Sequence, residues 1–232
     1  EFFYKTVGDT VRSILLDKKI YFLDFLTNSK IDLYTYLDNN LKDLLIGDFL
    51  NNYQNHISEL KDIFKVNYKI VNKVPSDFKK AIDSVFYYEK YDNWKAYEVI
   101  NMTGINACPY CNRSYITTIG TDNKKFFRGD FDHFMSKSDY PYFRFSFYNL
   151  IPSCIICNQR AKGSKDTDLD NFIYPYLEGF GNDGKFSFIP DSYESLISGK
   201  NGNVKIIVME PSSEKGLKII KNIELFRLDK QY

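Results

Sequence analysis

The sequence predicts an α+β protein of three successive parts, on three observations. Apolar residues recur at helical spacing through the first ~105 residues. Two Cys-x-x-Cys pairs stand in the middle. The last third carries β-rich runs between Gly and Asn turns, then one more periodic helix. The expected boundaries are 1–105 for the helical region, 106–170 for the cysteine-bearing core and 171–232 for an α+β extension packed on that core.

The helical region is justified element by element. Val7, Val11, Ile14 and Leu15 share one helical face, as do Leu33, Leu37, Leu41, Leu44 and Leu45. Ser76-Asp77 after Pro75 has the chemistry of a helix start, because a serine oxygen accepts a bond from a first-turn N–H. Phe78, Ile82, Val85 and Phe86 continue that helix. Trp94, Tyr97 and Ile100 suit one face of a further short helix, which Gly104 ends. These stripes are read as core packing. His56 stands alone among them and is expected to have no functional role.

In the last third, Lys185 to Ile189 and Val204 to Met209 read as strands. Ser212 and Ser213 precede a helix marked by Leu217, Ile219, Ile220, Ile223 and Leu225. The glycine-rich stretch from Gly179 to Gly184 reads as a turn rather than a phosphate loop, since no helix follows it.

Composition narrows the function classes. Aromatic residues make up 17% of 232, which rules out wholesale disorder. The 31 basic and 30 acidic side chains leave a net charge of +1, so bulk charge does not hold this chain on nucleic acid. Any such contact needs a local patch, and residues 108–168 carry 9 basic against 6 acidic side chains. No apolar run approaches the ~20 residues of a membrane span, and no basic-then-apolar leader opens the chain. A cytoplasmic protein with no membrane partner is expected. Residue 1 is Glu, so a trimmed chain is expected.

The four cysteines are too few for a disulfide scaffold, but their spacing is informative. Cys108-Pro109-Tyr110-Cys111 and Cys154-Ile155-Ile156-Cys157 each present two sulfurs from one short turn. A tetrahedral zinc takes four thiolates at ~2.3 Å, so two such turns complete its shell. Four thiolates leave no open position, which makes the expected zinc structural. A redox reading is weaker. Cys-Pro-Tyr-Cys resembles the glutaredoxin motif, but that motif opens a small βαβ domain, whereas here a long helical stretch precedes it and a second pair follows.

Between the pairs lie Asp132-His133 and Asn149-Leu150, and Asn158 follows Cys157 directly. Taken singly, each is an ordinary turn or capping residue. Together with the cysteines and Lys162-Gly163, the pattern from Cys108 to about Lys165 resembles the HNH, or ββα-metal, endonucleases. The resemblance implies two strands and a helix around a catalytic cation, with the zinc beside them. It maps the first histidine of the name to His133, the central asparagine to Asn149 and the last letter to Asn158. It implies DNA hydrolysis with His133 as general base, Asp132 and Asn158 as ligands of Mg²⁺ or Mn²⁺, and Asn149 bonding main chain to orient the segment that carries His133. These types suit the task. Imidazole titrates near neutrality, and carboxylate and amide oxygens are hard donors for Mg²⁺.

Three consequences follow. Neighbours on a strand face opposite ways, so irregular backbone is expected at Asp132-His133. Three residues, not the two of many relatives, separate Asn158 from Lys162; on an α-helix this swings Lys162 by about 100° and puts its phosphate contact in doubt. Arg160 is the substitute, with Lys165 and Lys137 as further phosphate contacts. Lys124, Lys125, Arg128 and Arg144 are other candidate cations. The alternation Phe143-Arg144-Phe145-Ser146-Phe147 is expected to be extended, its aromatics in the core. With no base-reading module, contact is expected with the backbone of DNA, or of RNA, whose phosphodiester offers the same chemistry.

More loosely, Phe134, Lys137-Ser138 and Tyr140-Pro141 resemble the HNH proteins of Septu- and retron-type anti-phage systems. That resemblance implies an ATPase partner docked by the flanking regions. The alternative is a zinc-stabilised nucleic-acid- or protein-binding module without catalysis.

Overall fold

The computed structural model describes residues 1–87, 94–198 and 202–232. It is an α+β structure in which small two-stranded sheets accompany a helical N-terminal part. The chain groups into two compact units. One comprises residues 1–102, 120–126 and 135–150; the other comprises 103–119, 127–134 and 151–232.

The first unit is mainly helical: α1 (Phe2–Asp17), α2 (Leu33–Asn39), α3 (Leu41–Ile46), α4 (Phe49–Asn67), the short hairpin β1 (Ile70–Val71) and β2 (Val74–Pro75), then α5 (Asp77–Phe86) and α6 (Ala96–Met102). Val7, Val11 and Leu15 of α1 are buried, as are Leu33, Leu37, Leu41, Leu44 and Leu45. The expected start of α5 is present: Ser76 Oγ accepts from Lys79 N at 3.1 Å. Asp32 and Asp48 cap α2 and α4 in the same way.

His56 is buried between two partners. Its Nδ1 lies 2.8 Å from Tyr36 Oη and its Nε2 lies 2.8 Å from Asp43 Oδ2. Both ring nitrogens are held inside the helical unit.

The stretch from Phe143 to Phe147 differs from expectation. It is not extended; 3₁₀ turns at Pro141–Phe143 and Phe147–Asn149 flank it. Bonds from Phe143 N to Tyr140 O, Arg144 N to Pro141 O and Ser146 N to Phe143 O close i→i+3 turns through it. The alternation failed as a strand signal because both residue classes are buried: Phe143, Phe145, Arg144 and Ser146 all lie inside. Arg144, a candidate phosphate contact by sequence, donates to Asp83 Oδ1 at 2.8 Å and to Tyr68 Oη at 2.5 Å.

The second unit carries the cysteines. After the short strands β3 (Ile119–Gly120) and β4 (Lys125–Phe127), strand β5 (Asp130–His133) pairs with β6 (Leu150–Ser153). A π-helical segment, Ile156–Lys162, follows at once. The hairpin of β7 (Gly184–Pro190) and β8 (Gly202–Val208) is antiparallel, with Lys185 opposite Ile207. It confirms the two strands read from the last third, with α7 (Tyr193–Ser198) between them. Ser213 caps α8 (Glu214–Phe226) through Gly216 N at 3.0 Å, and α9 (Leu228–Gln231) closes the chain. Arg227, in the left-handed region at φ 53°, makes the break between those helices. Among the described residues, no helix is long and apolar enough to cross a membrane.

Candidate metal centre and the buried network beside it

Two tight turns build the thiol cluster. In the first, Asn112 N donates to Cys108 O at 2.7 Å and Asn112 adopts a left-handed φ of 48°, which asparagine tolerates well. Cys108 N donates to Ser114 O at 2.8 Å and anchors the turn. In the second, Cys157 N donates to Cys154 Sγ at 3.4 Å, and Asn158 N to Cys154 O at 2.9 Å starts the helix. One pair lies in the loop after α6 and the other at the end of β6.

The turns meet. All four cysteines are buried and unbridged, and their sulfurs lie within 4.8 Å of one another. A tetrahedron with ~2.3 Å bonds needs sulfurs about 3.8 Å apart, so the cluster needs only a small contraction around an ion. The thiols already polarise one another. Hydrogen bonds from Cys108, then Cys154 and Cys157, hold Cys111 far below its usual range. Cys108 likewise lowers Cys154 to about 6, while bonding within the cluster pushes Cys108 and Cys157 up. The C-terminus covers the site: Gln231 Nε2 donates to Cys157 Sγ at 3.8 Å and Tyr232 Oη to Cys111 O. Four buried cysteines are thus positioned for a metal ion.

A second polar cluster lies in the same unit. Asp132 is 3% exposed. Its Oδ2 accepts from Tyr110 Oη at 2.6 Å, and its Oδ1 accepts from Lys162 Nζ at 2.9 Å. Lys162, also 3% exposed, donates to the main-chain carbonyl of His133 as well. Tyr110 sits between the first two cysteines and stacks on Phe226 with centroids 4.2 Å apart. Burial, then the Asp132 charge, raises its phenol well above the usual range, so it stays a donor.

Lys162 therefore does not present its ammonium to solvent, and its neighbourhood explains why the 100° argument does not apply. The segment is π-helical: Gly163 N reaches back to Asn158 O at 2.8 Å, an i→i+5 bond. Its buried residues are Cys157 and Lys162, five apart. On an α-helix residues five apart diverge by about 140°. The wider turn absorbs the extra residue and keeps Lys162 on the face of Cys157.

No family model, curated protein or solved structure matches the chain. The HNH resemblance thus rests on the residues of the sequence.

Of the irregularities expected at Asp132-His133, a strand end is the one present: β5 stops at His133 and bends follow at residues 134 and 135. β5 runs unbroken from Asp130 to His133, and neither residue of the dipeptide has positive φ. Alternation puts Asp130 and Asp132 on one face of the strand; His133 is its last residue. His133 is buried, at 9% exposure. Asn158 does reach β5, but at Asp130: its Nδ2 lies 3.3 Å from Asp130 Oδ2, which Gln159 Nε2 also approaches at 2.9 Å. Asp130 is half-buried and its two donors are neutral amides, whereas Asp132 is buried and accepts from an ammonium. Sequence reasoning missed Asp130, although its signal was there, in the two-residue spacing from Asp132.

Asn149 lies in the first unit, fully buried. It accepts from Met135 N at 2.7 Å and donates to Met135 O and Phe143 O, both at 3.1 Å. Met135 comes two residues after His133 in the chain. Lys137 belongs to the same unit and is exposed. Arg160 and Lys165 are exposed on the second unit, Lys165 Nζ donating to Ala161 O at 2.9 Å.

Proposed function

We propose that this chain is a metal-dependent endonuclease of the HNH kind, hydrolysing DNA phosphodiesters beside a structural zinc held by Cys108, Cys111, Cys154 and Cys157. The observation that supports the reading is local: β5 pairs with β6, β6 leads into the π-helical segment, and Asn158 of that segment lies 3.3 Å from Asp130 on β5.

The residues take the following parts. His133 accepts the proton of the water whose oxygen bonds to phosphorus as the bond to the leaving oxygen breaks. Asn158 and Asp130 offer hard oxygen donors to Mg²⁺ or Mn²⁺, with Asp132 behind them on the same strand face. When bound, that cation supplies charge for the phosphate and the leaving oxygen. Arg160 and Lys165 are exposed on the helix side and suit phosphate contact. An ATPase partner and a role in anti-phage defence extend this proposal and rest on the resemblance alone.

The test is cleavage of plasmid DNA by the purified zinc-loaded chain with Mg²⁺ or Mn²⁺. Activity is expected, and His133→Ala is expected to abolish it with zinc content unchanged. Activity that survives His133→Ala overturns the assignment.

One observation favours a second reading. Both oxygens of Asp132 are satisfied from within, as in a scaffold rather than an open cation site. A non-catalytic zinc-stabilised binding module is its consequence. DNA binding without cleavage under either metal, alone or with a partner ATPase, is the result that selects it.

A further inference from the structure

The buried lysine of the π-helical segment has a role that phosphate contact does not cover. Its ammonium carries three donors, and two are spent inside the unit, on Asp132 Oδ1 and on the main-chain oxygen of His133. Both acceptors belong to the last two residues of β5. The pair is almost sealed from water, at 3% exposure on each side.

Stability alone does not explain such a pair. Two charges taken out of water cost several kcal/mol each, and an apolar pair of the same volume holds a fold equally well. An ion pair adds direction, because the ammonium donates along its three N–H bonds to oxygens at fixed distances. The third partner supports this. Tyr110 donates to the other oxygen of Asp132 and belongs to the first thiol turn. A continuous path therefore runs from the cysteine cluster through Tyr110, Asp132 and Lys162 to the peptide of His133. The π turn is what brings Lys162 onto that path, since residues 157 and 162 share its buried face.

We propose that Lys162 is a positioning residue for His133: it ties the peptide of His133 to Asp132 and, through Tyr110, to the thiol turn, and makes no contact with substrate. The inference rests on the reading of His133 as the catalytic base. It assigns the main-chain oxygen of His133, not its imidazole, as the point of control.

The experiment compares the zinc-loaded chain with Lys162→Met, measuring zinc content, DNA affinity over a salt series, and kcat and KM for cleavage. A loss of kcat on the order of 10²-fold is expected, the scale of a misplaced catalytic group, with zinc, KM and salt slope unchanged. A phosphate contact predicts instead a salt slope smaller by about 1 and weaker binding; that result overturns the proposal, as does unchanged kcat. A second measurement needs neither activity nor a folded variant. In the ¹⁵N-labelled wild-type chain, the Lys162 ammonium is expected to give a slowly exchanging resonance. A fast-exchanging Lys162 ammonium overturns the tie outright. Absence of wild-type cleavage, alone and with a partner ATPase, together with a protected ammonium overturns the nuclease reading instead, so the two failures are distinguishable.

Discussion

Four thiols and one aspartate are buried in the same unit, and they differ in where their positive charge comes from. Asp132 has its own cation, the ammonium of Lys162 at 2.9 Å, and a neutral donor in Tyr110. In the cysteine cluster the mutual hydrogen bonds of the sulfurs pull Cys111 and Cys154 down while Cys108 and Cys157 are held up. Thiols sharing protons this way become four thiolates only when a cation arrives. The comparison teaches that buried negative groups alone do not mark a metal site. What marks it here is the approach of four buried sulfurs to within 4.8 Å of one another.

The largest effect tests the thiol side. Chelation of the zinc, or Cys154→Ser, is expected to remove the ion and with it the cooperative unfolding of the second unit. About 10–16 kcal/mol of apparent binding free energy is at stake. Atomic emission for zinc and thermal unfolding by circular dichroism read the outcome, and an unchanged melting curve after chelation would erase the contrast.

The next effect tests the self-sufficient cluster. Asp132→Ala leaves the Lys162 ammonium buried and unpaired, and a loss of about 3–5 kcal/mol in urea unfolding is expected with zinc retained. The double variant Asp132→Leu with Lys162→Met is expected to recover most of that loss, since both charges go together. If the double variant is as unstable as the single one, Lys162 is not the counter-charge.

Tyr110→Phe is milder. It removes one bond to a carboxylate and keeps the ring on Phe226, so about 1.5–3 kcal/mol is expected by the same assay. An unchanged midpoint would show that Asp132 leans on Lys162 alone.

The smallest effect extends the comparison to the helical unit. Burial works against the Asp83 carboxylate, but bonds from Tyr68, Lys79 and Arg144 outweigh it and lower its pKa below 3.8. A depressed folded pKa gives stability that is complete above the unfolded value and is lost as pH falls through the folded one. Unfolding midpoints measured from pH 5 downward are expected to drop on the acid side, and Asp83→Asn to flatten that slope. An identical acid slope in the variant would remove Asp83 as its source.

Much of the architecture is legible in short stretches of sequence. Ser76 and Ser213 cap the helices they precede, the apolar stripes of α1 to α3 are buried, and the strand runs near 185–189 and 204–208 pair. Each is decided by backbone sterics and spacing within a few residues, which periodicity reports directly. The cysteines share this property, because a Cys-x-x-Cys turn presents two sulfurs whatever surrounds it, and only one way of completing the shell was open.

The polar residues depended on the rest of the fold. Asp132 meets Lys162 from 30 residues away and Tyr110 from 22, and Arg144 meets Asp83 across 61. Nothing in the neighbouring sequence states whether a lysine faces solvent or a buried carboxylate. That choice balances desolvation against pairing and is settled only when distant segments pack. The π turn belongs to the same class. An extra residue before Lys162 is compatible with a rotated α-helix or a widened turn, and the anchoring of Cys157 and Lys162 on one buried face selected the second. Sequence alone determined the elements and the four sulfurs; tertiary packing decided which charges are spent inside, because their partners are remote in the chain and near only in space.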